Sequence, residues 1–232
     1  MGYGATCRVA RPLMMCLMAT LMSQAHAQEP TSPQTPEDAP MATPITYAVQ
    51  QEHTTLDVLV RYDRAALIPG HDHVIQAQQT TGTVVWNAAD PSACAINLSF
   101  PAESLVVDPG TTRAQYGFDG TTSNTEKGKI RSNMLGKAQL DAKQFPTITF
   151  MSQSCRPSGD GFLIQGELTV RGKAKEVKTL MLVTADKDHF TAKGLFKTSH
   201  ADFGMKPYRA ALGAVRNADT LAFHVNVVAR PK

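Results

Sequence analysis

The chain has 232 residues and carries 23 basic against 20 acidic side chains, a formal net charge of +3. Binding to nucleic acid requires a concentrated basic patch, so this nearly balanced chain argues against a nucleic-acid partner. Two of the basic residues lie in the first 27 residues, which hold no acidic residue, and the remainder is closer still to neutrality.

The first 27 residues have the pattern of a cleavable export signal. Arg8 and Arg11 precede a short apolar run at residues 13–22, and Ala25-His26-Ala27 fits a small-x-small cleavage site. About ten apolar residues are too few to span a bilayer, which takes about 20. We therefore expect cleavage after residue 27, export, and no transmembrane segment in the mature chain.

Residues 28–44 contain five prolines among small, polar and acidic residues. Such a segment cannot bury enough apolar surface to offset its ordering entropy, so we expect a disordered, proline-rich tether. The remaining residues, 45–232, have a suitable size for one β-barrel or sandwich domain.

Alternating apolar residues predict β-strands along most of that domain. In Phe145-Pro146-Thr147-Ile148-Thr149-Phe150, for example, Ile148 and Phe150 share one face and the threonines the other. The predicted strands cover residues 56–62, 73–79, 83–87, 94–100, 147–155, 162–170, 177–184, 189–199 and 220–229. This all-β pattern favours an antiparallel barrel modestly over a sandwich.

One helical segment interrupts the strands. Ser123 and Glu126 have capping-box spacing, and Ile130, Met134 and Ala138 recur every four residues. The pattern predicts one short amphipathic helix over residues 125–140, or a broken helical crossover.

Cys94 and Cys155 are the cysteines that remain after cleavage. An oxidising compartment favours a disulfide between them, and the alternative is two unpaired buried thiols. Cys94 opens one predicted strand and Cys155 closes another, so antiparallel pairing of those strands would bring them together. A bridge closing about 60 residues would stabilise the fold by roughly 4 kcal/mol in the chain-entropy model.

His71-Asp72-His73 is the sharpest chemical feature of the sequence. In an extended segment, His71 and His73 point to one side and Asp72 to the other. The two imidazoles could be metal ligands if a third histidine joined them, the candidates being His53, His189, His200 and His224. Polar groups at a binding-site mouth and a purely structural loop are the alternatives. The sequence contains no Gly-x-Ser-x-Gly elbow and no Gly-rich phosphate loop, so no catalytic residue is predicted.

Residues from about 47 to 229 resemble the YceI-like family of bacterial lipocalin-like proteins, as a divergent member. The resemblance rests on the Phe145–Phe150 strand, the hairpin from Gly166 to Val177, Ala201-Asp202-Phe203-Gly204-Met205 and the final apolar alternation. It implies an eight-stranded antiparallel lipocalin-like barrel in the periplasm that binds a polyisoprenoid or another long-chain amphiphile, such as a quinone. By analogy with the family, a homodimer is also expected.

A barrel of this kind would bind the ligand tail with its inward-facing apolar residues. The predicted lumen residues are Val58, Val60, Ile148, Phe150, Leu168, Val170, Phe223 and Val225. His71 and His73 would contact the head group at the mouth. No cofactor is expected besides a bound polyisoprenoid or quinone. Two alternatives stay open: a metal- or haem-linked redox accessory protein using those histidines, and a stress-related scaffold whose own side chains fill the barrel.

Overall fold

The computed structural model describes residues 43–232. The predicted signal peptide at residues 1–27 lies outside the described residues, as does the predicted tether except for its last two positions.

Strands make up most of the described chain, with two short α-helices between them. The helices are α1 (Thr112–Gln115) and α2 (Asn124–Leu135). The strands are β1 (Ile45–Val49), β2 (Thr55–Tyr62), β3 (His73–Ala77), β4 (Thr81–Trp86), β5 (Ala95–Pro101), β6 (Leu105–Val107), β7 (Thr147–Ser158), β8 (Gly161–Val170), β9 (Lys173–Ala185), β10 (Phe190–Ser199), β11 (Arg209–Ala210) and β12 (Val215–Pro231).

These segments form a closed barrel of eight antiparallel strands, which confirms the predicted fold. Each of the first three strands of the barrel consists of two segments: β1 with β2, β3 with β4, and β5 with β6. Strands β7 to β10 and β12 complete the ring in sequence order. Closure depends on β12, where Val225 lies opposite Leu56 of β2 and Ala229 opposite Val49 of β1.

Packing requires glycine at position 82, and the pairing of β4 with β5 runs through this residue without a bulge. Gly82 stands in β4 directly against β5, and a Cβ at this position would collide with the carbonyl oxygen of Asn97. Only glycine therefore lets the two backbones approach this closely. The short stretch between β3 and β4 divides the second strand of the barrel into its two segments.

Helix α2 begins as the capping box predicts and ends early. The Ser123 amide donates to Glu126 Oε2 at 2.9 Å, and the Glu126 amide donates to Ser123 Oγ at 3.3 Å. After Leu135 the chain turns back, because the amides of Leu140 and Ala142 donate to carbonyls of the last helical turn. A single helix to residue 140 is therefore wrong, and the broken crossover is the form observed. None of the residues 124–135 is fully buried.

A disulfide joins Cys94, at the start of β5, to Cys155 in β7, with 6.0 Å between their Cα atoms. Strands β5 and β7 are antiparallel neighbours, which is the arrangement the sequence predicted. Around the bridge, Tyr47, Trp86 and Phe190 pack into one apolar cluster at the end of the barrel that we call the disulfide end. The opposite end, where residues 108–146 cross over, is the mouth end.

The crossover also covers part of the outer wall. Leu59 of β2 and Val74 of β3 point outward and are buried beneath Phe118. Next to them Asp57 is only 2% exposed, and it accepts a hydrogen bond from the Tyr116 hydroxyl at 2.8 Å. The Asp57 carboxylate therefore finds its hydrogen-bond donor on the outside of the barrel and does not face the lumen.

Candidate functional site

The interior of the barrel holds two small cavities, which we call the enclosed cavities because side chains of the surrounding strands line them. The deeper cavity, of about 90 Å³, extends to Phe190 near the disulfide end, and the outer cavity, of about 100 Å³, extends to Met205 near the mouth. All eight residues predicted to face the lumen line at least one of them. Val58, Phe150, Leu168, Phe223 and Val225 line the deeper cavity, and Val58, Val60, Ile148, Val170 and Phe223 line the outer one.

The two cavities are neighbours that share part of their lining. Val58, Phe100, Leu105 and Phe223 line both of them. Phe223 also stacks on Phe196, with ring centroids 4.6 Å apart and planes 5° from parallel. Phe100 and Phe223 are the aromatic side chains that border both cavities, and we call the boundary formed by the four shared side chains the partition.

The size of the enclosed space limits what it holds without rearrangement. An apolar cavity of about 150 Å³ accommodates a benzene molecule, and each of the two enclosed cavities is smaller than that. A long hydrocarbon chain can therefore enter only when lining side chains move aside.

A third, larger cavity of about 510 Å³ opens at the mouth beneath α2. It shares Val60, Ile75, Met134, Gln139 and His200 with the outer enclosed cavity, so the two cavities adjoin. Its lining is mixed in character and includes the polar residues His71, His73, Glu126, Lys129, Asn133, Tyr208 and Asn217. The three cavities form a series from a polar entrance to an apolar interior.

His73 is held in place at the mouth by a buried carboxylate. Its Nδ1 lies 2.8 Å from Oδ2 of Asp108, whose side chain is fully buried. The Val74 amide and the Thr122 hydroxyl also donate to Asp108, at 2.8 and 2.7 Å. Burial raises the pKa of Asp108, but the hydrogen bonds from these three groups outweigh burial and lower it to about 2. Because the carboxylate only accepts, Nδ1 carries the proton and Nε2 is left to bind other groups.

His71 and His73 fall on the same side, as predicted, with ring centroids 6.4 Å apart. Asp72 between them is buried, accepting from the Tyr62 amide at 3.0 Å and from the Arg64 guanidinium at 2.7 Å. The guanidinium of Arg113 also donates to the Asp72 carbonyl. These contacts fix the direction in which the two imidazoles face.

Of the four candidate third histidines, His200 is the one that lines the mouth cavity. His53 lies in the turn between β1 and β2, His189 in the β9–β10 turn, and the His224 ring packs against Tyr116 outside the barrel. Within residues 43–232 no three His, Cys, Asp or Glu side chains form a group that could hold a metal ion. The metal hypothesis therefore has no geometrical support in this part of the chain.

His200 stands at the junction between the mouth and the barrel interior. Its Nδ1 donates to the Asp219 carbonyl at 2.9 Å, so Nε2 lacks the proton in the neutral ring. Burial is the main influence on the pKa of His200 and lowers it, with smaller opposing effects from Asp219. A neutral imidazole therefore stands at the entrance to the apolar interior.

Sequence reasoning did not single out Asp108, Arg113 or Tyr208. The available signal was Asp108-Pro109-Gly110, a turn sequence, and the backbone of Asp108 is indeed left-handed with φ of 46°. The pattern marks a turn, but it does not reveal that the carboxylate points back to His73. That contact joins residues 35 positions apart.

Comparison with solved structures gives several similar folds. The Burkholderia cenocepacia protein BcnA is 17% identical with a TM-score of 0.57, over 78% of this chain and 98% of that chain. A polyisoprenoid binding domain from Saccharophagus degradans is 8% identical with a TM-score of 0.52, over 81% and 99%. A Campylobacter jejuni YceI protein is 15% identical with a TM-score of 0.50, over 68% and 84%. At these identities the similarity establishes the fold alone.

Comparison with curated proteins gives no match. Within the described residues, no helix is long and apolar enough to cross a membrane. The family model of the YceI-like domain matches residues 47–229, which is most of the chain and the whole of the barrel apart from its outermost strand residues. The chain is therefore a member of the YceI-like domain family.

Proposed function

We propose that this protein is an exported binding or carrier protein that sequesters the tail of a long-chain isoprenoid or related amphiphile, such as a quinone, in its barrel. The observation that carries the proposal is the series of three cavities leading from a polar mouth to an apolar interior. The Saccharophagus degradans structure, a polyisoprenoid binding domain with a similar fold, supports the same ligand class.

The tail would bind by burial of apolar surface. The residues lining the deeper cavity are almost all aliphatic, aromatic or methionine side chains, and each Å² of apolar area removed from water contributes about 25 cal/mol. Part of that gain offsets the movement of Phe223 and its neighbours, because the chain must pass between the two enclosed cavities. This role is binding without catalysis.

The head group would remain at the mouth. His200 holds a proton on Nδ1 through the Asp219 carbonyl, which makes Nε2 of its neutral ring a hydrogen-bond acceptor. A hydroxyl-bearing head group matches this acceptor, and His73, held by Asp108, lines the same mouth. The same mouth also offers the Lys129 and Glu126 side chains.

We further propose that the protein acts in the periplasm after removal of residues 1–27. The export-type N-terminal pattern and the disulfide between Cys94 and Cys155 both support an oxidising compartment.

One observation favours a different role, that of a scaffold whose own side chains fill the barrel. Each enclosed cavity is smaller than the cavity of about 150 Å³ that is known to accommodate benzene. The two roles differ in whether the partition opens in solution.

Native mass spectrometry of protein purified gently from its host separates the two roles. The carrier role predicts an added mass that dissociates on activation and is identified as a lipid. An unliganded mass, together with failure to take up added polyprenol or quinone, would support the filled barrel.

A further inference from the structure

Two loops at the mouth end expose large apolar side chains to solvent. Leu67 and Ile68 in the β2–β3 connection are 87% and 48% exposed, and Leu212 in the β11–β12 connection is fully exposed. Exposed leucines occur singly on many proteins, but a group of them on one rim indicates an interaction surface.

Hydrogen bonds join the two loops into one rim. The Ile68 amide donates to the Ala214 carbonyl at 3.0 Å, which lies two residues beyond Leu212. The Arg216 guanidinium donates to Asp63 at 2.6 Å and ties the bases of the same loops together. Leu67, Ile68 and Leu212 therefore belong to one structural unit, which we call the apolar rim.

The backbone at the hairpin tip carries an independent sign of function. Ala211 and Leu212 both adopt left-handed conformations, with φ of 49° and 57°. Glycine or asparagine is the usual residue at such positions, because a Cβ is disfavoured there. Leu212 is thus a bulky apolar residue with a strained backbone and a solvent-exposed side chain. Both features are unfavourable locally, and such exceptions are typical of functional surfaces.

The charge at the two ends of the barrel differs in sign. The four connections at the mouth end, residues 63–72, 108–146, 171–172 and 200–214, contain ten basic and seven acidic residues. The three turns at the disulfide end, residues 87–94, 159–160 and 186–189, contain one basic and four acidic residues, and Arg230 and Lys232 at the same end raise the basic count to three. On the hairpin itself, Lys206 and Arg209 are both exposed.

We propose that the apolar rim docks on the surface of a bilayer containing anionic phospholipid. Apolar tips would enter the boundary of the acyl chains while nearby lysine and arginine side chains bind the anionic head groups. Pro69 and Tyr208 line the mouth cavity and are close in sequence to the tips, so docking turns the mouth toward the bilayer. The inference goes beyond the proposed ligand binding and does not depend on it, because the outer rim alone contacts the lipid.

Vesicle co-sedimentation of the purified protein tests the proposal, with phosphatidylcholine vesicles that contain or lack phosphatidylglycerol and no added isoprenoid. Wild type should bind the anionic vesicles. Leu67→Ser/Ile68→Ser/Leu212→Ser should weaken binding by at least about tenfold. Lys206→Gln/Arg209→Gln should weaken it roughly fivefold for each charge removed, and added salt should reproduce that loss.

A matched control removes the same kind of side chain from the barrel wall. Leu180, Leu182 and Leu195 are 51%, 58% and 59% exposed there. Leu180→Ser/Leu182→Ser/Leu195→Ser should bind anionic vesicles as wild type does. The proposal is overturned if this control loses as much binding as the rim variant, or if wild type does not bind.

A gain of signal provides a second measurement that does not depend on loss of binding. Trp86 is the single tryptophan and is buried at the disulfide end. A Leu212→Trp variant should show a blue shift of its added emission when anionic vesicles are present, whereas an unshifted spectrum contradicts docking. If gel filtration instead shows a dimer that the rim variant dissociates, and vesicles are not bound, the occupant of the rim is a second copy and the membrane proposal is wrong.

Discussion

Val58 of β2 lies directly opposite Phe223 of β12 in the barrel wall, and both side chains line the two enclosed cavities. The pair therefore forms part of the partition, which a ligand tail would have to cross in the proposed carrier role. Whether the barrel is a carrier or a filled scaffold depends on the ease with which this partition opens.

Phe223→Leu should open the partition. The substitution removes the ring that stacks on Phe196, at a cost of about 0.5–1.5 kcal/mol from the lost aromatic pair in addition to the lost burial. Tails should bind more tightly because less rearrangement is needed, as titration with isoprenoids of increasing length would measure. Phe162→Leu is the matched control, since Phe162 packs on Trp86 at the disulfide end and should affect stability without changing affinity. Equal affinities for wild type and Phe223→Leu would show that the ring does not obstruct the tail.

Acid should remove the stabilising contribution of Asp108. The folded-state pKa of about 2 is below the usual 3.8, so the contribution is complete above about pH 4 and is lost as pH falls toward 2. A shift of this size corresponds to about 2 kcal/mol in the free energy of unfolding. Urea unfolding over this pH range should show that decrease in wild type and not in Asp108→Asn.

Thr122→Val provides the graded comparison for Asp108. It removes one of the hydrogen bonds that lower the pKa and leaves those from His73 and Val74. Its acid transition should lie at a pH between those of wild type and an unperturbed carboxylate. A transition identical to wild type would show that the hydroxyl contributes nothing.

Mild acid should destabilise the protein through His200. Burial lowers the folded-state pKa of this imidazole, so the unfolded chain binds a proton near pH 6.5 where the folded protein does not. Stability is therefore complete above about pH 6.5 and decreases as the pH falls below it. Thermal unfolding of wild type and His200→Gln would measure this, and the decrease should be smaller in the variant. Parallel decreases in both proteins would assign the effect to other groups.

Reduction of the disulfide should lower the free energy of unfolding by roughly 4 kcal/mol, because the bridge closes a loop of 61 residues. Denaturant unfolding with and without a reducing agent would measure the change, and Cys94→Ala/Cys155→Ala should match the reduced wild type. A much smaller change would mean that the unfolded chain is already restricted in this region.

Most strands and their inward faces could be predicted from the sequence, because side chains that alternate with a period of two show which face is buried. That is why Ile148 and Phe150 were placed on the inner face and Cys94 opposite Cys155. Alternation failed to explain Asp57, because its burial depends on Tyr116 of the crossover, 59 positions away. The end of α2 was predicted too late because the prediction followed the spacing of Ile130, Met134 and Ala138, although Gly136, the C-cap, marks the end locally.

Only part of the mouth site could be predicted from the sequence. The sequence marked His71 and His73 as a pair and gave their common side, because an extended backbone fixes that geometry. It did not give Asp108 or the distinct place of His200, because both depend on contacts between distant loops. Local sequence patterns predict turns and the faces on which side chains lie, whereas the mouth site depends on contacts between loops that are distant in sequence.

The dual pairing of β12 with β1 and β2 has a consequence for how the protein is made. The ring cannot close until residues near 229 meet residues near 49, a contact that spans almost the whole domain. Contacts between such distant positions form slowly. The ring therefore cannot close before residues near 229 have been synthesised, so a shorter nascent chain lacks the strand that seals its barrel.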